Sequence, residues 1–192
     1  MNGRFVVVVG PDGVGKTTVA ALLLERHAGP TRYFHFRAPV RGRLGTAPDT
    51  STPPQPKTSA TGWRPGGWAR LALSFVRAWL AHLTSVRPAM RQGCLVVGDR
   101  WIYGYVGQPR SLRYYGPTWL AALAMRCLPM PDLVASLTAA PEVVVGRKPE
   151  LTVQEADEEM TRWGSLPVAS LRTFSTECDP SETVEEIRRV LC

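Results

Sequence analysis

The chain has 192 residues, 44% hydrophobic and 20% charged, a balance that fits one folded domain able to bury its own core and excludes a disordered chain. Its net charge of +7 rests on 20 arginines against 3 lysines. These are scattered rather than gathered into a basic stripe with aromatics, which argues against a nucleic-acid partner.

Phe5 to Val9, "FVVVV", is continuously apolar and β-branched, as a strand buried on both faces is. Lys16 to His27 carries an amphipathic helical stripe that Gly29-Pro30 ends. "RYFHF", 32 to 36, reads as a second strand. Residues 38 to 67 are rich in Pro, Gly, Ser and Thr with no apolar period, so a mobile insertion is expected there. Trp68 to Met90 returns to helical spacing. "CLVVGDR", 94 to 100, is another buried strand, ending in Asp99-Arg100. Tyr103 to Pro117 is an irregular segment of tyrosines and arginines, and Thr118 to Leu128 is helical. "PDLVASL", 131 to 137, is a strand, followed by a helix from Pro141 toward Arg147. Thr152 to Arg162 is a charged helix opened by a Thr152-x-x-Glu155 box. "SLRTFSTEC" supplies the last strand, and Ser181 to Val190 the last helix, with Ser181 as its N-cap.

Strands that alternate with helices and are apolar on both faces predict an α/β fold: a three-layer open parallel sheet with helices on both faces, in a single domain over 1–192. Ligands bind such sheets at the carboxyl ends of the strands. Gly10, Arg37 and Asp99 all follow strand ends and are expected to converge there. Cys94, Cys127, Cys178 and Cys192 lie far apart without zinc-ligand spacing, as buried thiols in a reducing cytoplasm would. The apolar run before Gly10 is too short for a signal peptide or a membrane span, so a cytoplasmic protein without a membrane partner is expected.

Gly10 to Thr17 reads GPDGVGKT and fits G-x-x-x-x-G-K-[ST] at each fixed position. Glycines let successive backbone N–H groups turn onto phosphate oxygens. Lys16 would reach the β- and γ-phosphates, and the Thr17 hydroxyl would ligate Mg²⁺. The following helix adds positive potential from its N-terminus. Asp99, at a strand end beside this loop, stands where a Mg²⁺-binding carboxylate is needed. Arg100 next to it suits a second anion, the phosphate of an acceptor.

From these residues outward the chain resembles the thymidylate kinase family of P-loop nucleoside monophosphate kinases, as a divergent subgroup. "GPDGVGKTT" resembles that family's loop, with Asp12 in place. Phe36, Arg37 and Pro39 resemble its substrate-arginine segment, "LALSFVR" (71 to 77) its base-facing helix, and "GDRW" its Asp-Arg-aromatic motif. "PDLVASLTAAPEVVVGRK", 131 to 148, resembles its strand and arginine-bearing lid, and 177 to 187 its C-terminal strand and helix. The resemblance implies a P-loop NTPase fold with a lid at about 145–155 and MgATP-dependent phosphoryl transfer to a thymidylate-like monophosphate. ATP would lie on Gly10, Asp12, Gly13, Val14, Gly15, Lys16, Thr17 and Thr18, with Mg²⁺ on Thr17 and Asp99. The catalytic set would be Lys16, Asp12, Asp99 and Arg147, the last helped by Lys148. Arg37 and Arg100 would hold the acceptor phosphate, Asp12 would face its sugar and Arg77 its base. Leu73 stands where the family stacks an aromatic on the base. The segment from 105 to 117 departs from the family's usual form; Arg113, with Arg110, Tyr114 and Tyr115, either lines the acceptor pocket or packs as a surface loop. A homodimer through helices near 68 to 90 is also implied.

Two other readings compete. A small-molecule kinase acting on a hydroxyl (a sugar, nucleoside or antibiotic) would use Asp12 or Asp99 as base. A non-kinase NTPase switch needs an N-K-x-D guanine reader, which this chain lacks.

Overall fold

The computed structural model describes residues 3–36, 43–45, 66–147 and 151–191. One six-stranded sheet runs in the order β3-β2-β4-β1-β5-β6. Its strands are β1 (Arg4–Val9), β2 (Thr31–His35), β3 (Arg43–Gly45), β4 (Leu95–Asp99), β5 (Leu133–Thr138) and β6 (Leu171–Ser175). All neighbours pair in parallel except β3, which runs antiparallel to β2 at one edge. The open parallel sheet expected from the sequence is therefore present, with one short antiparallel strand added. That strand falls inside 38–67, where the composition suggests only loop; the remainder of that stretch up to residue 65 lies outside the described residues.

The three-layer form follows from the side chains of β1. Phe5, Val7 and Val9 enter one apolar cluster with Phe34, Val96, Trp101, Leu71 and Ala121. Val6 and Val8 enter the opposite one with Leu23, Val97, Leu137, Val184 and Ile187. A strand alternates its faces, so a continuous apolar run can be satisfied only by helices on both sides. The second cluster is roofed by α1 (Lys16–Glu25) and α8 (Pro180–Leu191), the first by α2 (Gly66–Ala81) and α5 (Thr118–Arg126). Among the described residues no helix is long and apolar enough to cross a membrane.

Three local departures from the sequence reading have physical causes. The helix expected from Trp68 to Met90 is interrupted: α2 passes through a π-turn at His82–Val86 into α3 (Arg87–Arg91). Pro88 has no N–H to give the carbonyl four residues back, and the widened turn sits just ahead of it. The segment from Tyr103 to Pro117 is not wholly irregular, since a one-turn α4 (Gly104–Gly107) follows a 3₁₀ turn at Trp101–Tyr103. Ser181 is not the N-cap of α8. The helix begins at Pro180, and the Asp179 carboxylate accepts from the Ser181 N–H at 2.6 Å. Pro at the first helical position needs no N–H partner, which leaves Asp179 as the cap. The Thr152–Glu155 capping box expected at the start of α7 (Val153–Gly164) is present in both directions.

Trp101 shapes the turn that leaves β4. It is 1% exposed and its ring centroid lies 5.5 Å from Phe5, 5.6 Å from Phe34 and 5.2 Å from Phe36. Arg100 and Trp101 both have positive φ, 66° and 44°, a conformation that costs side-chain-bearing residues energy and persists only when packing imposes it. Trp101→Ala is expected to cost about 3–5 kcal/mol of stability. Urea unfolding checks this as a lowered midpoint with an unchanged slope.

Candidate functional site

The carboxyl ends of the strands come level by register. Val8 of β1 and His35 of β2 both pair with Asp99 of β4. The Arg100 N–H then donates to the Val8 carbonyl at 3.1 Å, so the residue after Asp99 is fixed above β1. The loop from Gly10 leaves that same edge. β4 and the phosphate-type loop thus share one cleft although they are about ninety residues apart in sequence.

Within the loop Gly10, Gly13 and Gly15 have φ of 144°, 94° and 94°. At Gly10 a Cβ would press on the Leu137 carbonyl and the Val14 side chain, 2.8 and 2.9 Å away. Around Gly15 the space is open, as a backbone that must meet a ligand requires. α1 begins at Lys16, so its unpaired N–H groups face this space. The Thr176 hydroxyl, after β6, donates to the Val14 carbonyl at 2.9 Å and steadies the loop from the far side.

The cleft has a volume of about 540 Å³. It is lined by the loop from Asp12 through Thr18, by Asp99 and Arg100, by Arg147 at the end of α6 (Pro141–Arg147), and by Thr176, Cys178 and Pro180. Thr17 and Thr18 are exposed toward it, whereas Lys16 is buried. The Lys16 ammonium donates to the carbonyls of Gly10 (2.9 Å) and Pro11 (2.6 Å) and to Asp12 Oδ1 (3.4 Å). Burial holds it below the usual lysine range; Asp12 opposes this and Arg100 adds to it.

Asp99 is buried too. Burial pushes its carboxyl up, but the hydrogen bond from His35 and the charges of Lys16 and Arg100 outweigh this and hold it below the usual range. Its Oδ2 accepts from His35 Nδ1 at 3.0 Å and from the Tyr33 hydroxyl at 3.4 Å. Its Oδ1 is buried and has no hydrogen-bond partner among the described residues. Asp12 forms an ion pair with Arg100, whose other terminal nitrogen donates to Gln108 Oε1 at 3.1 Å.

The structure thus brings together Gly10, Asp12, Gly13, Val14, Gly15, Lys16, Thr17, Thr18, Asp99, Arg100 and Arg147. Arg37 and Lys148 lie outside the described residues. Leu73, Arg77 and Arg113 do not line this cleft. Leu73 is 44% exposed, on a helix face with Val76, Leu80 and Leu83. Arg77 is half-buried on α2, near the Tyr105 hydroxyl that pairs with Ser74 Oγ at 2.7 Å. Arg113 is exposed, and Arg110 reaches α7 through Glu155 at 3.7 Å. Tyr114 turns inward, edge-on to Tyr105. Sequence reasoning missed His35 and Tyr33, whose approach to Asp99 depends on strand register. It also missed Thr176, Cys178 and Pro180, which reach the cleft through the β5–β6 pairing; Cys178 and Cys127 are exposed, and of the expected buried thiols Cys94 alone is buried among the described residues.

Comparison with known proteins agrees with this geometry. No protein-family model matches the chain. Over 154 residues it is 32% identical to a probable thymidylate kinase of Methanosarcina mazei, covering 77% of this chain and 70% of the relative. Over 169 residues it is 30% identical to a thymidylate kinase of Lactobacillus acidophilus, covering 82% and 72%. Among solved structures, a thymidylate kinase from Candida albicans superposes with a TM-score of 0.68 at 18% identity, over 99% of this chain and 91% of that one. One from Ehrlichia chaffeensis gives 0.59 at 16% identity, over 100% and 99%. At those identities the superpositions speak for the fold, a P-loop NTPase sheet.

Proposed function

The chain belongs to the thymidylate kinase family, and from that premise we propose that it transfers the γ-phosphoryl of MgATP to a nucleoside monophosphate, with dTMP as the first acceptor to test. The observation that carries this reading is the arrival of Asp99 and Arg100 in the cleft of the glycine loop. A metal-type carboxylate and an anion-type guanidinium stand side by side there.

The loop from Gly10 to Gly15 and the start of α1 would cradle the ATP phosphates, with Lys16 on the β- and γ-oxygens and Thr18 at the mouth. The residues present fit Mg²⁺. Asp99 Oδ1 is an anionic oxygen that no donor among the described residues uses, and Thr17 lines the same space. Bound there, the metal would neutralise charge building on the bridging oxygens. Arg100, with Arg37, would hold the acceptor phosphate. Arg147, at the cleft edge where α6 ends, would move onto the transferring group when the lid closes, which also keeps water out. Asp12 would position the acceptor sugar, and Arg77 would serve its base.

The carboxylates favour this over the hydroxyl-kinase reading. A hydroxyl acceptor gains from a base whose pKa lies near the working pH. Asp12 is held by Arg100 and Lys16, and Asp99 is depressed below the ordinary carboxylate range. Asp99 is thus not tuned for that task and Asp12 is engaged by two cations, whereas a monophosphate oxygen is already anionic near neutral pH. The test is ADP release with a panel of nucleoside monophosphates and of unphosphorylated sugars and nucleosides. Turnover confined to the monophosphates supports the proposal; turnover confined to hydroxyl compounds overturns it.

A second copy of the chain is proposed as the macromolecular partner. Leu73, Val76, Leu80 and Leu83 are 44–55% exposed and recur at three- and four-residue spacing with no charge among them, a seam suited to a like helix. Leu80→Glu is expected to halve the mass seen by light scattering at micromolar concentration. A wild-type chain that is monomeric there contradicts this part.

A further inference from the structure

A buried polar chain leads from the cleft to the helix that follows the lid segment. Arg100 donates from Nη1 to Gln108 Oε1 at 3.1 Å, and Gln108 Nε2 donates to Glu159 Oε2 at 2.8 Å. Gln108 is 2% exposed and Glu159 7%. Both lie where a polar group is retained only with partners. The two segments are also locked mechanically. A Cβ on Gly107 would run into the Trp163 ring, and Arg162 Nε donates to the Gly107 carbonyl at 3.3 Å. α4, which Gln108 directly follows, and α7, which carries Glu159, therefore pack as one unit.

The chemistry of the three groups fixes a direction. A guanidinium only donates and a carboxylate only accepts, so an amide between them has one orientation, oxygen toward Arg100 and nitrogen toward Glu159. Without the carboxylate the amide is free to turn and offer its NH₂ to the guanidinium, which cannot accept it. We infer that Glu159 is a positioning residue: acting through Gln108, it holds the Arg100 guanidinium in the cleft and ties the acceptor-phosphate grip to α7, the helix at the far end of the lid segment. This rests on the proposed role of Arg100 toward the acceptor. It adds two residues, 51 positions apart, that the phosphate-binding motifs do not contain.

The test is steady-state kinetics with dTMP and MgATP varied in turn. Gln108→Glu sets two carboxylates against each other and is expected to raise the dTMP KM roughly ten- to hundred-fold, with the ATP KM within about two-fold. Adding Glu159→Gln to it restores a carboxylate facing Arg100 and an amide donor behind it, and is expected to recover most of that loss. A parent-like dTMP KM in Gln108→Glu, no recovery in the double variant, or equal shifts in both KM values overturns the inference. Should Gln108→Glu fail to fold, Glu159→Ala gives the same reading: a raised dTMP KM alone supports it and an unchanged one overturns it. A wild-type chain that turns over no monophosphate fails the kinase reading itself, and this inference with it. An active wild type with unresponsive variants fails the inference alone.

Discussion

Lys16→Ala is expected to lower kcat for phosphoryl transfer by about 10³-fold or more, the scale of removing one preorganised charge from a transferring phosphoryl. The loop offers no substitute for it. Gly13, Val14 and Gly15 bring only backbone dipoles, and Arg100 is engaged with Asp12 and Gln108. In the free protein the ammonium holds the loop together from inside through the Gly10 and Pro11 carbonyls. Binding ATP would exchange those carbonyls for phosphate oxygens. The variant therefore has two separable readouts, kcat in the transfer assay and thermal stability without nucleotide. A stability loss with kcat preserved would make Lys16 a structural brace only. A pH effect follows in sign. Burial depresses the Lys16 pKa in the free protein, and bound phosphate favours the ammonium. Above the free-state pKa, binding must then take up a proton. ATP affinity is expected to fall on the alkaline side, and calorimetry in buffers of different ionisation heat is expected to register that uptake.

Asp99→Asn is the second large effect. It is expected to cut kcat by about 10²-fold or more and to move the Mg²⁺ activation curve to higher concentration. The substitution keeps shape and an oxygen but removes the anionic charge at Oδ1, an atom without a hydrogen-bond partner among the described residues. It also leaves Lys16 and Arg100 less balanced and deprives His35 of a charged partner. The folded-state pKa of Asp99 is depressed, so its contribution to stability is full above the unfolded carboxylate value. That contribution is lost as pH falls through the folded one. Melting curves on acidification are expected to show a shallower acid limb in Asp99→Asn than in wild type. An unchanged Mg²⁺ dependence would remove Asp99 from the metal site.

How far the sequence discloses the site depends on how local its chemistry is. The glycine loop is legible because each position does its work within eight residues: a strand must stop, a backbone must turn and a helix must start. Asp99-Arg100 is legible because a buried strand announces its own end. Register is not local. Nothing in "RYFHF" says that His35 will stand opposite Asp99, since that follows from which strand β4 chooses to join. Gln108 and Glu159 look like ordinary surface residues until α4 and α7 pack together. Resemblance places Leu73 opposite a base, and the structure shows it 44% exposed on a helix face with Val76 and Leu80. β3 escapes because three residues in a Pro- and Gly-rich stretch carry no period to detect. The Pro88 π-turn and the Asp179 cap are readable in principle, because proline chemistry alone dictates both.

On the proposed function, this cleft moves a phosphoryl group from ATP onto another phosphate. Phosphorus NMR of wild-type protein with MgATP and dTMP tests it most directly. Coupled diphosphate resonances of dTDP are expected to grow with those of ADP, and neither to appear with Lys16→Ala. ADP accompanied only by inorganic phosphate, with the dTMP resonance and those of other nucleoside monophosphates unchanged, would contradict it.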